Sequence, residues 1–205
     1  MFRLSRTSVI AWTAVVAVIA ALSYALTWVA VPRAAAEDKA KAAPVEFTAD
    51  GKLKQPVGYR KWVYIGTPVT PNDMNDGEAS FPEFHEVYMD PESFAHYEKT
   101  GKFRDGTVLV KELSSVGSKE APSGKGYFQG DFTGLEASVK DSKRFKDEPG
   151  YWAYFSFGHK YPLKAEVAKG AVASCNQCHE QNAKKTDWVF SQHYPVLRAA
   201  APKSK

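Results

Sequence analysis

The only two cysteines in the 205-residue chain stand in Ala173-Ser174-Cys175-Asn176-Gln177-Cys178-His179-Glu180. Two thiols two residues apart, with a histidine directly after the second, form the C-x-x-C-H pattern that attaches a c-type haem. Each thiol can add across one porphyrin vinyl group, while the imidazole of His179 is aimed at the iron as an axial ligand. Cys175, Cys178 and His179 are thus the expected cofactor-binding residues, and His179 the metal ligand. A structural zinc site usually needs a second cysteine pair, and the chain has none. A thioredoxin-like C-x-x-C would sit early, after a strand in a βαβ unit, and needs no histidine. A disulfide here would close a very short loop and stabilise little.

The sixth iron position is constrained by what is missing. An electron-transfer cytochrome with an early haem motif supplies a methionine downstream. Past the N-terminal segment only Met74 and Met89 remain, both upstream of the motif. The remaining histidines are His85, His96, His159 and His193. His96 is expected on the wet face of a helix, and His159 and His193 in loops. His85 lies among apolar residues of a strand and is the best of the four. The expectation is a five-coordinate iron, open to a small ligand.

Met1-Phe2-Arg3-Leu4-Ser5-Arg6 precedes an apolar run from about Val9 to Val31, and Ala34-Ala35-Ala36 leads into Glu37-Asp38-Lys39. A basic start, an apolar stretch and small residues at the junction make a secretory signal over residues 1–36. The run is also long enough to remain as an N-terminal anchor. Either way the functional part is expected in the periplasm, which suits c-type haem. The 27 Lys and Arg face 23 Asp and Glu, but Arg3, Arg6 and Arg33 lie in the expected signal, so removing it leaves +1. No basic block with interleaved aromatics appears, and nothing points to nucleic acid. Removing residues 1–36 from the 205 leaves 169, enough for one domain with a core.

The elements that must position the haem motif follow from pattern. Residues 37–45 read as a flexible leader, 46–200 as the haem-binding domain and 201–205 as a loose tail. Trp62 to Gly66 is β-branched and aromatic and reads as a strand. Val69 to Ser80 carries turn chemistry. Phe84 to Met89 is a second strand. Asp90-Pro91-Glu92 opens a helix, with Asp90 as N-cap, running to about Thr100 and stopping at Gly101. Thr107 to Leu113 is a strand, then Tyr127 to Phe132; Leu135 to Phe145 reads as a helix, and Tyr151 to Phe157 as an apolar strand. The haem motif is expected on a C-terminal helix or turn. Strands separated by turns, with a few helices, indicate an α+β domain built mainly on an antiparallel sheet, with haem attached near the C-terminus.

The chain resembles the cytochrome P-460 family, periplasmic c-type haem proteins that oxidise hydroxylamine. The resemblance runs from about Phe47 to Ala200. It is carried by Tyr59-Arg60-Lys61-Trp62-Val63, Val69-Thr70-Pro71-Asn72, Val87-Tyr88-Met89-Asp90-Pro91-Glu92-Ser93, Phe103-Arg104-Asp105-Gly106-Thr107-Val108, Val110-Lys111-Glu112-Leu113, Gly126-Tyr127-Phe128, Gly134 to Ser142, and Tyr194-Pro195-Val196-Leu197-Arg198.

The resemblance implies a third covalent link, from a lysine nitrogen to a meso carbon of the porphyrin, and the matching residue is Lys111. Independently, alternation puts Lys111 on one strand face with Leu109 and Leu113. Such a lysine either snorkels at an edge or faces something other than water. The resemblance also implies a carboxylate, here Glu136, that takes protons from the nitrogen substrate. The plain alternative is a surface pair between Glu136 and Lys140. Where the family's best-known member carries a distal arginine, this chain carries His85, which would alter the polarity of the pocket or fill the sixth site.

Two further readings stand beside hydroxylamine oxidation. The sister β-sheet cytochromes c′ lack the lysine link and bind nitric oxide in an apolar pocket, for which Phe81, Phe84 and Phe128 would be the caps. A plain electron carrier would need a six-coordinate iron. The resemblance further implies one haem c, an external electron acceptor such as a small c-type cytochrome, and a homodimer.

Overall fold

The computed structural model describes residues 43–170 and 175–203. The expected signal, 1–36, and residues 37–42 of the expected leader lie outside those residues. Nine strands form among the described residues: β1 (Leu53–Lys54), β2 (Val63–Gly66), β3 (Phe84–Met89), β4 (Val108–Val116), β5 (Glu120–Ala121), β6 (Gly124–Lys125), β7 (Gln129–Lys140), β8 (Trp152–Gly158) and β9 (Glu166–Val167). Three α-helices accompany them, α1 (Pro91–Thr100), α2 (Cys175–Ala183) and α3 (Pro195–Ala200). The expected α+β architecture is present.

The centre is a five-stranded sheet in the order β2-β3-β4-β7-β8, antiparallel throughout. Short pairs β1–β9 and β5–β6 stand apart from it. Because side chains alternate along a strand, residues opposite one another in register share a face. Val87, Lys111, Glu136 and Ser156 make one such row across four strands. Met89, Leu109, Ser138 and Tyr154 make the row on one side of it, and His85, Leu113 and Gly134 the row on the other. The reverse face carries Tyr88, Val110, Ala137 and Phe155 in one row, and Glu86, Glu112 and Leu135 in the next.

Each face packs a core of its own. On the reverse face Val108, Val110, Leu135, Ala137, Val139 and Phe155 are buried with Leu53, Tyr59, Phe145 and Val167. On the Lys111 face Val87, Met89, Leu109, Trp152 and Tyr154 are buried with Tyr97, Phe103, Val189 and Leu197. Each such side chain contributes roughly 1.5–3 kcal/mol when fully removed from water. The second cluster takes in the Leu109 row and Val87 of the next one, while Lys111, Glu136 and the His85, Leu113 and Gly134 row lie outside it.

α1 starts and stops as its residues dictate. The Asp90 carboxylate accepts from the Ser93 N–H at 2.9 Å, Pro91 takes the first turn, and Gly101 ends the helix at φ 67°. The same carboxylate accepts from the Val108 N–H at 2.9 Å, so the helix cap also fixes the start of β4.

One expected element is different. Residues 135–145 do not form a helix; Leu135 to Lys140 is the second half of β7, and a turn follows. Leu135, Ala137 and Val139 face the core while Glu136, Ser138 and Lys140 face the other way, a period of two. β7 lies between β4 and β8, so both of its edges are paired, which overrides the helix preference of Leu, Glu, Ala and Lys. The pair expected between Glu136 and Lys140 disappears with the helix: Lys140 pairs with Asp187, and Glu136 with Lys111.

Candidate haem site

α2 opens at Cys175, so Cys175, Cys178 and His179, at helical spacings of three and four, share one helix face. Cys175 packs against the cluster over the Lys111 face, and Cys178 is exposed. Asn176, between the cysteines, is buried to 1 % exposure. Its Nδ2 donates to Glu148 Oε2 at 3.1 Å and to the Trp152 carbonyl at 2.9 Å, which ties α2 to the first residue of β8. Lys169 closes the cluster on the other Glu148 oxygen.

The His179 ring lies between Tyr154, with centroids 4.4 Å apart, and Phe190, at 4.7 Å. Its Nδ1 is 2.6 Å from the Trp188 carbonyl. A carbonyl only accepts, so Nδ1 carries the hydrogen and Nε2 keeps its lone pair for a metal. Burial, partly offset by that carbonyl, holds the imidazole below its usual pKa, in the neutral form that ligates. Trp188 is itself anchored by its Nε1–H, which donates to Glu180 Oε2 at 2.5 Å. Gly150 makes room for the indole: a Cβ there would stand 2.3 Å from the Trp188 ring.

The row containing Lys111 supplies the polar groups of the same face. Lys111 Nζ is 2.6 Å from Glu136 Oε2 and 5.1 Å from the centre of the Phe81 ring. The other Glu136 oxygen, Oε1, is 3.2 Å from His159 Nε2. His85 stacks edge-on to Phe81 at 6.0 Å, and its Nε2 is buried with no hydrogen-bond partner. Burial first, and the Lys111 charge second, push the His85 pKa down to about 4, so the ring is neutral near pH 7. The charges of Lys111 and Glu136 also bear on His179.

The family model for cytochrome P460 matches residues 56–191, well over half of the chain. The chain belongs to the cytochrome P460 family. No curated protein matches it.

Membership makes this P460 protein a haem cytochrome of oxidoreductase type, and its residues fit the cofactor. Among the described residues no group of three or more His, Cys, Asp and Glu side chains is gathered for a bare metal ion. A haem iron asks only one axial ligand of the protein, and His179 is held in the tautomer and charge state to provide it. The unpartnered Nε2 of His85, buried on the Lys111 face, suits a site completed by a bound group.

Several candidates separate at this point. His85, Lys111 and Glu136 come together on the face toward which His179 packs. His96 lies half-buried on α1, and His193 is exposed beside Phe190. His159 follows β8 and touches Glu136, a contact that its loop setting did not announce. Of the three aromatic caps, Phe81 lies against Lys111 and His85. Phe84 alternates to the reverse face with Glu86, and Phe128 packs beside Gly126. The roles of Asn176, Trp188 and Gly150 in holding the motif helix depend on distant partners and left no local signal.

Proposed function

We propose that this cytochrome P460 protein oxidises hydroxylamine at a single haem c, attached through Cys175 and Cys178, ligated by His179 and cross-linked by Lys111. The observation that supports this most is the register of Lys111 against Glu136, in contact, on the sheet face against which His179 packs through Tyr154. Haem supplies an open coordination position for the substrate nitrogen and a sink for its electrons.

The chain's own residues do the rest. Glu136 is the proton acceptor. Oxidation of hydroxylamine to nitric oxide releases three protons with three electrons, so a base beside the nitrogen is required. Nitrite or nitrous oxide are the other products this reading allows. His85, neutral and without a partner, faces the small ligand with Nε2. Lys111 is not a base in this scheme. Its amine would be the nitrogen joined to the porphyrin, a coupling that gives up two protons and requires an external two-electron oxidant, and the joined nitrogen would no longer hold an ammonium charge beside Glu136. Phe81 shields Lys111 and His85 from water.

The electrons pass to an external one-electron acceptor, such as a small c-type cytochrome. The N-terminal residues 1–36 direct export to the periplasm, as a cleaved signal or an anchor, and the protein acts as a homodimer.

The test is the optical spectrum of the dithionite-reduced holoprotein, made in a periplasm that attaches c-type haem. A Soret band far to the red of ordinary ferrous c-haem is expected, lost in Lys111→Leu together with sustained hydroxylamine oxidation. An ordinary ferrous Soret in the wild type, or unchanged activity in Lys111→Leu, overturns the assignment and directs attention to nitric oxide binding.

A further inference from the structure

A proton accepted by Glu136 has to leave it before the next one arrives. The Glu136 side chain is only 17 % exposed, and one of its oxygens is against Lys111. The other is 3.2 Å from Nε2 of His159, whose side chain is 45 % exposed. The imidazole therefore stands between a shielded carboxylate and water. Imidazole is the side chain that takes up and gives away protons near neutral pH.

The backbone is shaped to put it there. β8 pairs Glu136 with Ser156 but Leu135 with Gly158, so Phe157 is an extra residue, a bulge beside Glu136. Gly158 follows at φ 123°, a conformation that side chains rarely permit. Gly134 lets the turn lie flat on β7: a Cβ there would stand 2.5 Å from the Gly158 carbonyl oxygen and 3.0 Å from the His159 Cα. A bulge, a positive-φ glycine and a second glycine without room for a side chain all converge on the placement of one histidine.

We propose that His159 is the outward relay for the protons that Glu136 removes from the substrate. This rests on the hydroxylamine reading above. The carboxylate takes a substrate proton and becomes a carboxylic acid. It passes that proton to Nε2 of the His159 tautomer whose hydrogen is on Nδ1, the imidazolium gives its Nδ1 proton to water, and exchange with water between the two ring nitrogens restores that tautomer. Glu136 returns to a carboxylate and His159 to neutrality, so no charge accumulates. The substrate's electrons leave separately, to the one-electron acceptor. The groups facing this pair are Lys111 from β4, Ser156 from β8, whose Oγ is 3.5 Å from His159 Nε2, and His85 from β3, which feels the charges of both.

The experiment mixes ferric holoprotein with hydroxylamine and a pH-indicator dye in weak buffer, following haem reduction and proton appearance separately. In the wild type both are expected to proceed together. His159→Gln keeps an amide beside Glu136 but cannot carry a proton. It is expected to release protons and turn over about tenfold or more slowly, with the haem spectrum unchanged and the rate restored by added phosphate, a proton carrier that is a poor haem ligand. Gly134→Ala, which pushes the turn off β7, is expected to show the same phosphate-rescuable defect.

A reactive wild type with a His159→Gln protein that releases protons at the same rate overturns the relay alone. So does a slow His159→Gln protein that phosphate does not rescue, because His159 then only positions Glu136. A wild type that leaves hydroxylamine unreacted overturns the hydroxylamine reading, and the relay falls with it.

Discussion

Lys111 and Glu112 are consecutive residues of β4, and each meets an opposite charge, yet they belong to different kinds of structure. Glu112 points to the reverse face and is 1 % exposed. Its carboxylate accepts from the Tyr59 hydroxyl at 2.7 Å, from Arg60 Nε at 3.0 Å and from a second Arg60 nitrogen. Tyr59 and Arg60 are both shifted upward in pKa, Tyr59 first by burial and Arg60 first by its bond to Glu112. The cluster is closed and satisfied. Lys111 points the other way, keeps 26 % of its side chain exposed and has Glu136 and the Phe81 ring for company. His85, one strand away, leaves a buried nitrogen unpartnered. A buried charge that is fully paired specifies the fold. An under-satisfied group beside a neutral histidine is prepared for something the chain does not itself supply.

The sharpest break in that comparison is Glu136→Gln. Turnover with hydroxylamine should fall by about 10²- to 10⁴-fold, the usual worth of a positioned base, while haem content and spectrum stay as in the wild type. Steady-state kinetics of the loaded protein decide it, and a loss below about tenfold would remove Glu136 from proton transfer.

Arg60→Ala tests the other face. It leaves the Glu112 carboxylate buried with only a phenol, and the cost should be about 2–4 kcal/mol, reduced from a fully buried pair because Arg60 is half exposed. Denaturant unfolding of the holoprotein measures this, and activity per haem should not change. Before haem attachment, Lys111→Leu should cost no more than about 1 kcal/mol by the same measurement. Equal losses in the two variants would erase the distinction between the faces.

Asn176→Ala should destabilise by about 1–2 kcal/mol, since it removes both donations that tie α2 to Glu148 and β8. Its thermal unfolding, read by haem absorbance, should begin at lower temperature than in the wild type.

The smallest effect is the pH dependence carried by His85. Its folded pKa, about 4, lies below the ordinary 6.5, so the unfolded chain binds the proton more readily between those values. The stability that neutral His85 contributes is complete above about pH 6.5 and is lost as the pH falls toward 4. The loss is about 1 kcal/mol by about pH 5.5. His85→Phe should flatten this part of the stability curve. An unchanged slope in that variant would show that His85 is not held neutral.

Much of this was legible because its signals are local. The C-x-x-C-H spacing, the Asp90-Pro91 start and Gly101 stop of α1, and the alternation of Lys111 with Leu109 and Leu113 all lie within a few consecutive residues. The segment from Leu135 misled for the complementary reason. Its residues suit a helix in isolation, and only pairing with β4 on one side and β8 on the other selects the strand.

The sequence by itself determined the C-x-x-C-H motif, the candidate ligand within it and which face of β4 carries Lys111, because covalent spacing and a period of two need no partner. Only the tertiary structure decided that Lys111 opposes Glu136, that Glu136 meets His159 and that Trp188 fixes the tautomer of His179. Those contacts depend on strand register, on the bulge at Phe157 and on glycines that admit a neighbouring backbone or ring. They join residues 20 or more positions apart in the first two cases and nine in the third, and such proximity exists only once the sheet has formed.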